Sequence, residues 1–265
     1  MLRSMYSGIS GMKNFQTKLD VIGNNIANVN TYGFKKGRVN FKDLVSQSIA
    51  GASAPGELLG GVNPKQVGLG AQLGTIDTID TQGSLQTTGR SLDLAISGDG
   101  YFILIDSASE NPTYTRSGNF YLDSQGMIVN ADGKYLQGNG GSITIPTEAK
   151  SFSIGSDGIV TFVDDIGELQ EAGQISIAKF PNNGGLEKIG SNEYQMTTNS
   201  GDPVEGVPGG ETGAGSIVAG TLEMSNVDLS EEFTEMIVAQ RAFQANTKII
   251  TTSDEILQEL VNLKR

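Results

Sequence analysis

The chain has no cysteine and no histidine among its 265 residues. Without cysteine there is neither a disulfide framework nor a thiolate zinc site. Without histidine the commonest acid–base group and metal ligand is gone. No apolar stretch reaches the ~18 residues a membrane-spanning helix needs, so no membrane insertion is expected. The opening Met1-Leu2-Arg3-Ser4-Met5-Tyr6 lacks the apolar run of a cleaved secretory signal. Hydrophobic residues make up 37 %, lean for a compact enzyme core.

Glycine is abundant, at 36 residues, roughly twice the usual ~7 %. It argues for turns and extended structure in the middle of the chain. Charge is uneven. Residues 1–42 carry seven Lys or Arg against Asp20 alone, a net +6, while the whole chain is −12, leaving −18 for the rest. Residues 226–265 hold seven acids and four bases. Basic and acidic ends attract, within one molecule or between neighbours. The Lys35-Lys36-Gly37-Arg38 cluster does not read as a nucleic-acid site, because so acidic a remainder repels phosphate.

Both ends carry heptad stripes. Near the N-terminus, Met5, Met12, Leu19 and Ile26 recur every seven residues beside Leu2, Ile9, Phe15 and Ile22. Near the C-terminus, Leu229, Met236, Phe243, Ile250 and Leu257 do the same, with Ala242, Ile249, Ile256 and Leu263 in a second row and Phe233 and Leu260 beside them. A seven-residue apolar repeat keeps one seam against a partner helix. The spacing predicts helices over 2–29 and from 225–228 to the end, about 40 and 55 Å long. Gly8, Gly11 and Gly23 each cost the first helix about 1 kcal/mol relative to Ala and permit close helix contact. Asp228 with Glu231 three residues on is a capping-box pattern. Residues 46–75 read as an extended excursion with little core. From 76 to 190, apolar alternation around Asp99-Gly100, Asp132-Gly133 and Asp157-Gly158 predicts hairpins. The fold expected is α+β: long terminal helices pairing as a coiled-coil-like stalk, with a β-rich outer domain built as a hairpin meander or sandwich. Its divisions are 1–30 (first helix), 31–75 (connecting extended segment), 76–224 (β-rich domain) and 225–265 (last helix).

Chemical motifs fare poorly. The Asp-Gly turns lack calcium-loop spacing. Gly68 to Gly74 is one residue off a dinucleotide fingerprint, and Gly133-Lys134 lacks the Ser or Thr of a P-loop. Asp164-Asp165 and Glu231-Glu232 fall in a turn and a helix start. The reading is therefore non-enzymatic, with no catalytic residue, cofactor or metal ligand assigned. A secreted β-rich adhesin is the remote alternative, and a hydrolase would need a carboxylate pair in a deep pocket.

Leu19-Asp20-Val21-Ile22-Gly23-Asn24-Asn25-Ile26-Ala27-Asn28 followed by Thr31-Tyr32-Gly33-Phe34-Lys35 resembles the N-terminal signature of bacterial flagellar rod and hook proteins. Thr88 to Ile96 and Tyr114 to Phe120 resemble the central signatures of that family, and Ser225-Asn226-Val227-Asp228-Leu229 through Gln240-Arg241 to Leu263 resembles its C-terminal one. The two ends look closest to the hook branch. The short length, and a 46–64 stretch similar to an insertion of the distal rod branch, make that branch the alternative. The resemblance implies a subunit exported through the flagellar export apparatus without signal cleavage. It implies polymerisation with itself into a helical tube around a central channel, transmitting torque, located in the flagellum. The distal rod protein, the hook cap and the hook–filament junction protein are its implied partners. In a hook, residues 46–64 are expected to be loosely held between stacked subunits; in a rod, tightly.

Overall fold

A computed structural model of the chain describes residues 2–55, 60–106, 109–210 and 213–263. The fold is α+β, with a long helix at each end and many short strands between. The chain forms two compact units. The first comprises Met1–Ala27, Gly37–Asp77 and Asp228–Arg265, the second Asn28–Lys36 and Thr78–Val227.

In the first unit, helix α1 spans Leu2–Ala27 and helix α2 spans Leu229–Leu263. Asp228 caps α2: its carboxylate accepts from the amides of Ser230 (2.8 Å) and Glu231 (3.4 Å). This satisfies amides that a helix start otherwise leaves orphaned. The helices run antiparallel. A Cβ built on Gly8 would lie 3.3 Å from Ile250, one on Gly11 would lie 2.9 Å from the Asn246 side chain, and Lys18 pairs with Glu235 at 3.0 Å. Gly8 and Gly11 thus clear the way for α2, whereas Gly23 has nothing within 4 Å and is a plain cost to the helix. Strand Gly37–Asp43 pairs with Ala71–Thr78, and Ser46–Ala50 runs antiparallel to Lys65–Gly68. Every described residue of the latter two strands is exposed, so this ribbon has no core. Leu58 and Leu59, which the sequence offers as the anchors of the 46–64 stretch against a neighbour, lie outside the described residues.

The second unit is β-rich. Its main sheet, ten-stranded among the described residues, has Tyr101–Asp106 at its centre, flanked by Ser109–Thr115 and Tyr135–Gly138. Phe102 and Leu104 face one core cluster with Leu94, Phe120, Leu136 and Ile177; Tyr101 and Ile103 face another with Tyr114, Phe180 and Tyr194. Alternation therefore marks this strand, but both of its faces are buried. Asp132-Gly133 and Asp157-Gly158 turn antiparallel hairpins. Asp99-Gly100 does not, contrary to expectation. Leu94–Ser97 pairs instead with Ser216–Ala219, and the Asp99 carbonyl accepts from Gly215 at 2.7 Å. The run before this turn has its partner far along the chain, while the run after it pairs with Ser109–Thr115 and Tyr135–Gly138, so the turn links two sheets. Leu85–Thr87 likewise pairs with Thr221–Glu223. The last strands of the unit thus close against its first.

Gly118 sits where a Cβ would lie 1.6 Å from the Leu94 carbonyl oxygen. Gly118→Ala is expected to destabilise the β-rich unit by about 3 kcal/mol or more, since backbone rather than a mobile side chain must yield. Gly23→Ala is expected to raise helix stability by about 1 kcal/mol. Urea unfolding followed at the β and α dichroism bands measures both.

Candidate functional site

The signature residues divide between the two units. In the second, Asn28 and Thr31 form a turn, with the Thr31 amide and hydroxyl both donating to Asn28 at 3.1 Å. Gly33 follows at φ +70, its amide donating to the Glu223 carbonyl at 2.8 Å. A Cβ there would lie 2.7 Å from the Arg116 carbonyl carbon, so position 33 needs glycine for both conformation and space. This close approach carries Phe34 and Lys35 inward, Lys35 to 1 % exposure.

The Lys35 ammonium donates to Glu223 Oε1 at 2.7 Å and to the Thr81 carbonyl at 2.8 Å. The same carboxylate accepts from the Gly83 amide at 2.9 Å and, through Oε2, from the Arg116 guanidinium at 3.4 Å. Beside this group, Tyr101 donates to Asp80 at 2.7 Å and lies under the Arg116 guanidinium. Burial lowers the pKa of Lys35 against the opposing pull of Glu223, and burial lowers that of Lys188. Burial also raises the phenols of Tyr101 and Tyr194, and pushes Tyr114 up to about 12. Asn226 completes the cluster. Its side chain accepts from the Lys36 amide and donates to the Ile79 carbonyl, both at 2.8 Å. One carboxylate and one amide therefore join four stretches of chain, around 33–36, 79–83, 116 and 223–226.

In the first unit Asn25 plays the matching part. It is 1 % exposed. It exchanges two hydrogen bonds with the Gly37 backbone, both at 2.9 Å, and donates to Glu232 at 3.2 Å. Asn24, Ala27, Gln240 and Arg241 are exposed.

The heptad residues separate by face. Ile22 is buried, and Met5, Met12, Phe15, Leu19, Ile26, Met236, Phe243, Ile250 and Leu257 are half-buried. Interleaved with the α2 row are Glu232, Ala239, Asn246 and Ser253, of which only Asn246 is not buried. Together these make an unbroken four-three spacing along the seam, which small and polar side chains hid from an apolar count. The outward side of α2 also carries large apolar residues among its polar ones. Phe233, Ile249, Ile256 and Leu260 are 43–50 % exposed and Leu263 83 %. Leu229 is exposed too, and Ile9 is the exposed member of the α1 set. The Leu2 side chain lies outside the described residues. Besides the seam's polar row, Glu223 escaped the sequence reading; its signal was a lone acid in the short strand Thr221–Glu223.

These features define a structural subunit rather than a chemical site. Lys35 and Arg116 are engaged with the Glu223 carboxylate, Lys188 donates to the Lys35 carbonyl at 3.1 Å, and among the described residues no three His, Cys, Asp or Glu side chains converge as metal ligands. No helix among them is long and apolar enough to cross a membrane. Comparison with known proteins agrees with that class. Residues 5–35 match the model of the flagella basal body rod protein, 95–162 the flagellar hook protein FlgE/F/G D1 domain, and 218–263 the flagellar basal body rod FlgEFG protein C-terminal region. The chain is 64 % identical over 266 positions, covering all of both chains, to the flagellar basal-body rod protein FlgG of Bacillus subtilis. It is 42 % identical over 271 positions to FlgG of Borreliella burgdorferi, again covering both. Against the flagellar hook protein FlgE of Borreliella burgdorferi it is 32 % identical, with both chains covered but spread over 444 positions. The chain belongs to the flagellar hook and basal-body rod family. It is thus a structural component of the flagellum, from a family that self-assembles. The rod-named relatives match it without large gaps, against the hook reading that its ends suggested.

Glu223→Leu is expected to lower the stability of the β-rich unit by about 3–5 kcal/mol, leaving two buried cations without their carboxylate. Adding Lys35→Met and Arg116→Met should return most of it. Denaturant unfolding of the three chains measures this. The buried phenols set the alkaline limit. Their pKa values are raised on folding, so the stability they contribute is complete below about pH 10 and is lost as the pH rises toward 12. Lys35 and Lys188, shifted down, act oppositely until about pH 10.5. Loss of β dichroism should therefore begin above about pH 10.5, with tyrosinate absorbance at 295 nm rising in the same step.

Proposed function

We propose that the chain is a distal rod subunit, which polymerises helically into a stiff tube that serves as a drive shaft around an export channel. The observation carrying this reading is the 64 % identity, end to end, with a basal-body rod protein of matching length. The hook alignments, by contrast, spread over 444 and 467 positions. Residues 1–30 and 225–265 would line the inner tube, with α1 and α2 as a coiled-coil-like stalk. Residues 31–75 would form an intermediate layer and 76–224 the outer domain. The outward α2 rows, including Phe233, Ile249, Ile256 and Leu260, would be covered by neighbouring copies. The subunit would leave the cell through the flagellar export apparatus without cleavage. It would meet the hook as its distal neighbour rather than the hook cap or junction protein. The exposed 46–50 and 65–68 ribbon would pack between stacked subunits and stiffen the tube.

Electron microscopy of the assembled protein tests the reading. Straight tubes are expected from the intact chain, and more readily bent ones after deletion of 46–64. Tubes that bend freely with the segment present would restore the hook reading. Ile250→Asp or Leu257→Asp should abolish pelleting while β dichroism survives, because an unpaired charge in the seam costs several kcal/mol in every copy.

A further inference from the structure

The helix pair is bridged by an ion pair toward one end and, among the described residues, not at the other. Gly8 faces Ile250 and Gly11 faces Asn246, so the start of α1 and the last third of α2 lie together. Toward the opposite end, Lys18 pairs with Glu235 at 3.0 Å. At the first end Arg3 and Lys13 on α1, and Glu255 and Glu259 on α2, are exposed and form no ion pair among the described residues. Helical periodicity puts Arg3, Ile9 and Lys13 on the side of α1 opposite Gly8 and Gly11, and Glu255, Ile256 and Glu259 away from the α2 seam. Ile9 and Ile256 are 48 % and 43 % exposed.

We propose that this basic face of α1 docks on the acidic face of α2 in a second copy, Arg3 and Lys13 meeting Glu255 and Glu259 around an Ile9–Ile256 contact. The inference deepens the assembly reading and rests on it. The two faces point away from each other within one molecule, so they cannot satisfy each other there. Their opposite charge favours α1-on-α2 contact between copies, and like charge opposes α1-on-α1 and α2-on-α2. A contact between two different patches is heterologous, and such contacts propagate into rings or open helices rather than closing as dimers. Within one molecule Ile9 lies level with the turn that holds Ile249, about 10 Å from Ile256 along the axis, so the contact joins neighbours offset by about that rise.

Full-length Lys13→Glu and Glu255→Lys variants, which face each other when Ile9 meets Ile256 between antiparallel helices, test this by pelleting at low salt. Each alone should raise the critical concentration about tenfold, by placing like charges across the contact. Both positions face solvent, so monomer dichroism should match the parent chain. An equimolar mixture of the two variants should polymerise near the parent concentration, because alternating copies pair opposite charges at every contact. The double variant should do the same. Singles that assemble like the parent, or a mixture as defective as its components, would overturn the proposal while leaving the assembly reading intact. A parent chain that forms no polymer under any condition would overturn both.

Discussion

The β-rich unit depends on one carboxylate shared by two buried cations. Glu223 faces Lys35 and Arg116 at nearly zero exposure. Such a group contributes little net stability over well-packed apolar side chains, but removing any member leaves a buried charge uncompensated. Its value is therefore specificity. Lys35 arrives straight after the first helix, Arg116 in the middle of the chain and Glu223 just before the second helix. The arrangement is satisfied only when all three segments are in register. The strands that carry Glu223 and pair Leu94–Ser97 and Leu85–Thr87 come last in the unit, so the native arrangement is complete only once nearly all of the chain is present.

The helical unit follows the opposite logic. In a self-sufficient helical hairpin the larger apolar residues face the partner helix. Here α2 alternates Ala239, Asn246 and Ser253 with Met236, Phe243, Ile250 and Leu257 in the seam and leaves Ile249, Ile256 and Leu260 half in water. Small and polar seam residues give up burial, but they fix register, as polar seam positions do in coiled coils. The glycines of α1 weaken it further as an isolated helix. A pair so built is correctly aligned but short of stabilisation, which suits a unit completed by neighbouring copies.

The helices were legible because their seven-residue apolar period survives over several turns, and the Asp228 cap marks where α2 begins. The side of the helix that faces inward was not legible. An apolar count gives Ile249 and Ile256 the same weight as Ile250 and Leu257, and misses a seam half made of alanine, serine, asparagine and glutamate. The hairpins at Asp132-Gly133 and Asp157-Gly158 were readable from local turn chemistry. The Asp99-Gly100 crossover was not, because Leu94–Ser97 takes its partner, Ser216–Ala219, more than a hundred residues away and no local signal encodes that pairing. The Lys35 and Asn25 positions stood out through resemblance alone. Their partners, Glu223, Glu232 and the backbone of Gly37, emerge only from the three-dimensional arrangement.

A buried lysine with lowered pKa beside a tyrosine and two carboxylates would, in another protein, suggest a catalytic centre. The bonding argues otherwise. Lys35 is held by a carboxylate and a backbone carbonyl, Glu223 accepts from three segments, and the Tyr101 hydroxyl is committed to Asp80. Catalysis needs a group whose proton or lone pair is aimed at a substrate position. Here the Lys35 ammonium, the Glu223 carboxylate and the Tyr101 hydroxyl are spent on joining distant stretches of chain. The pKa shifts have burial as their first cause, and they measure how thoroughly the cluster excludes water. Deforming such a joint must part buried charges rather than slide one apolar surface over another.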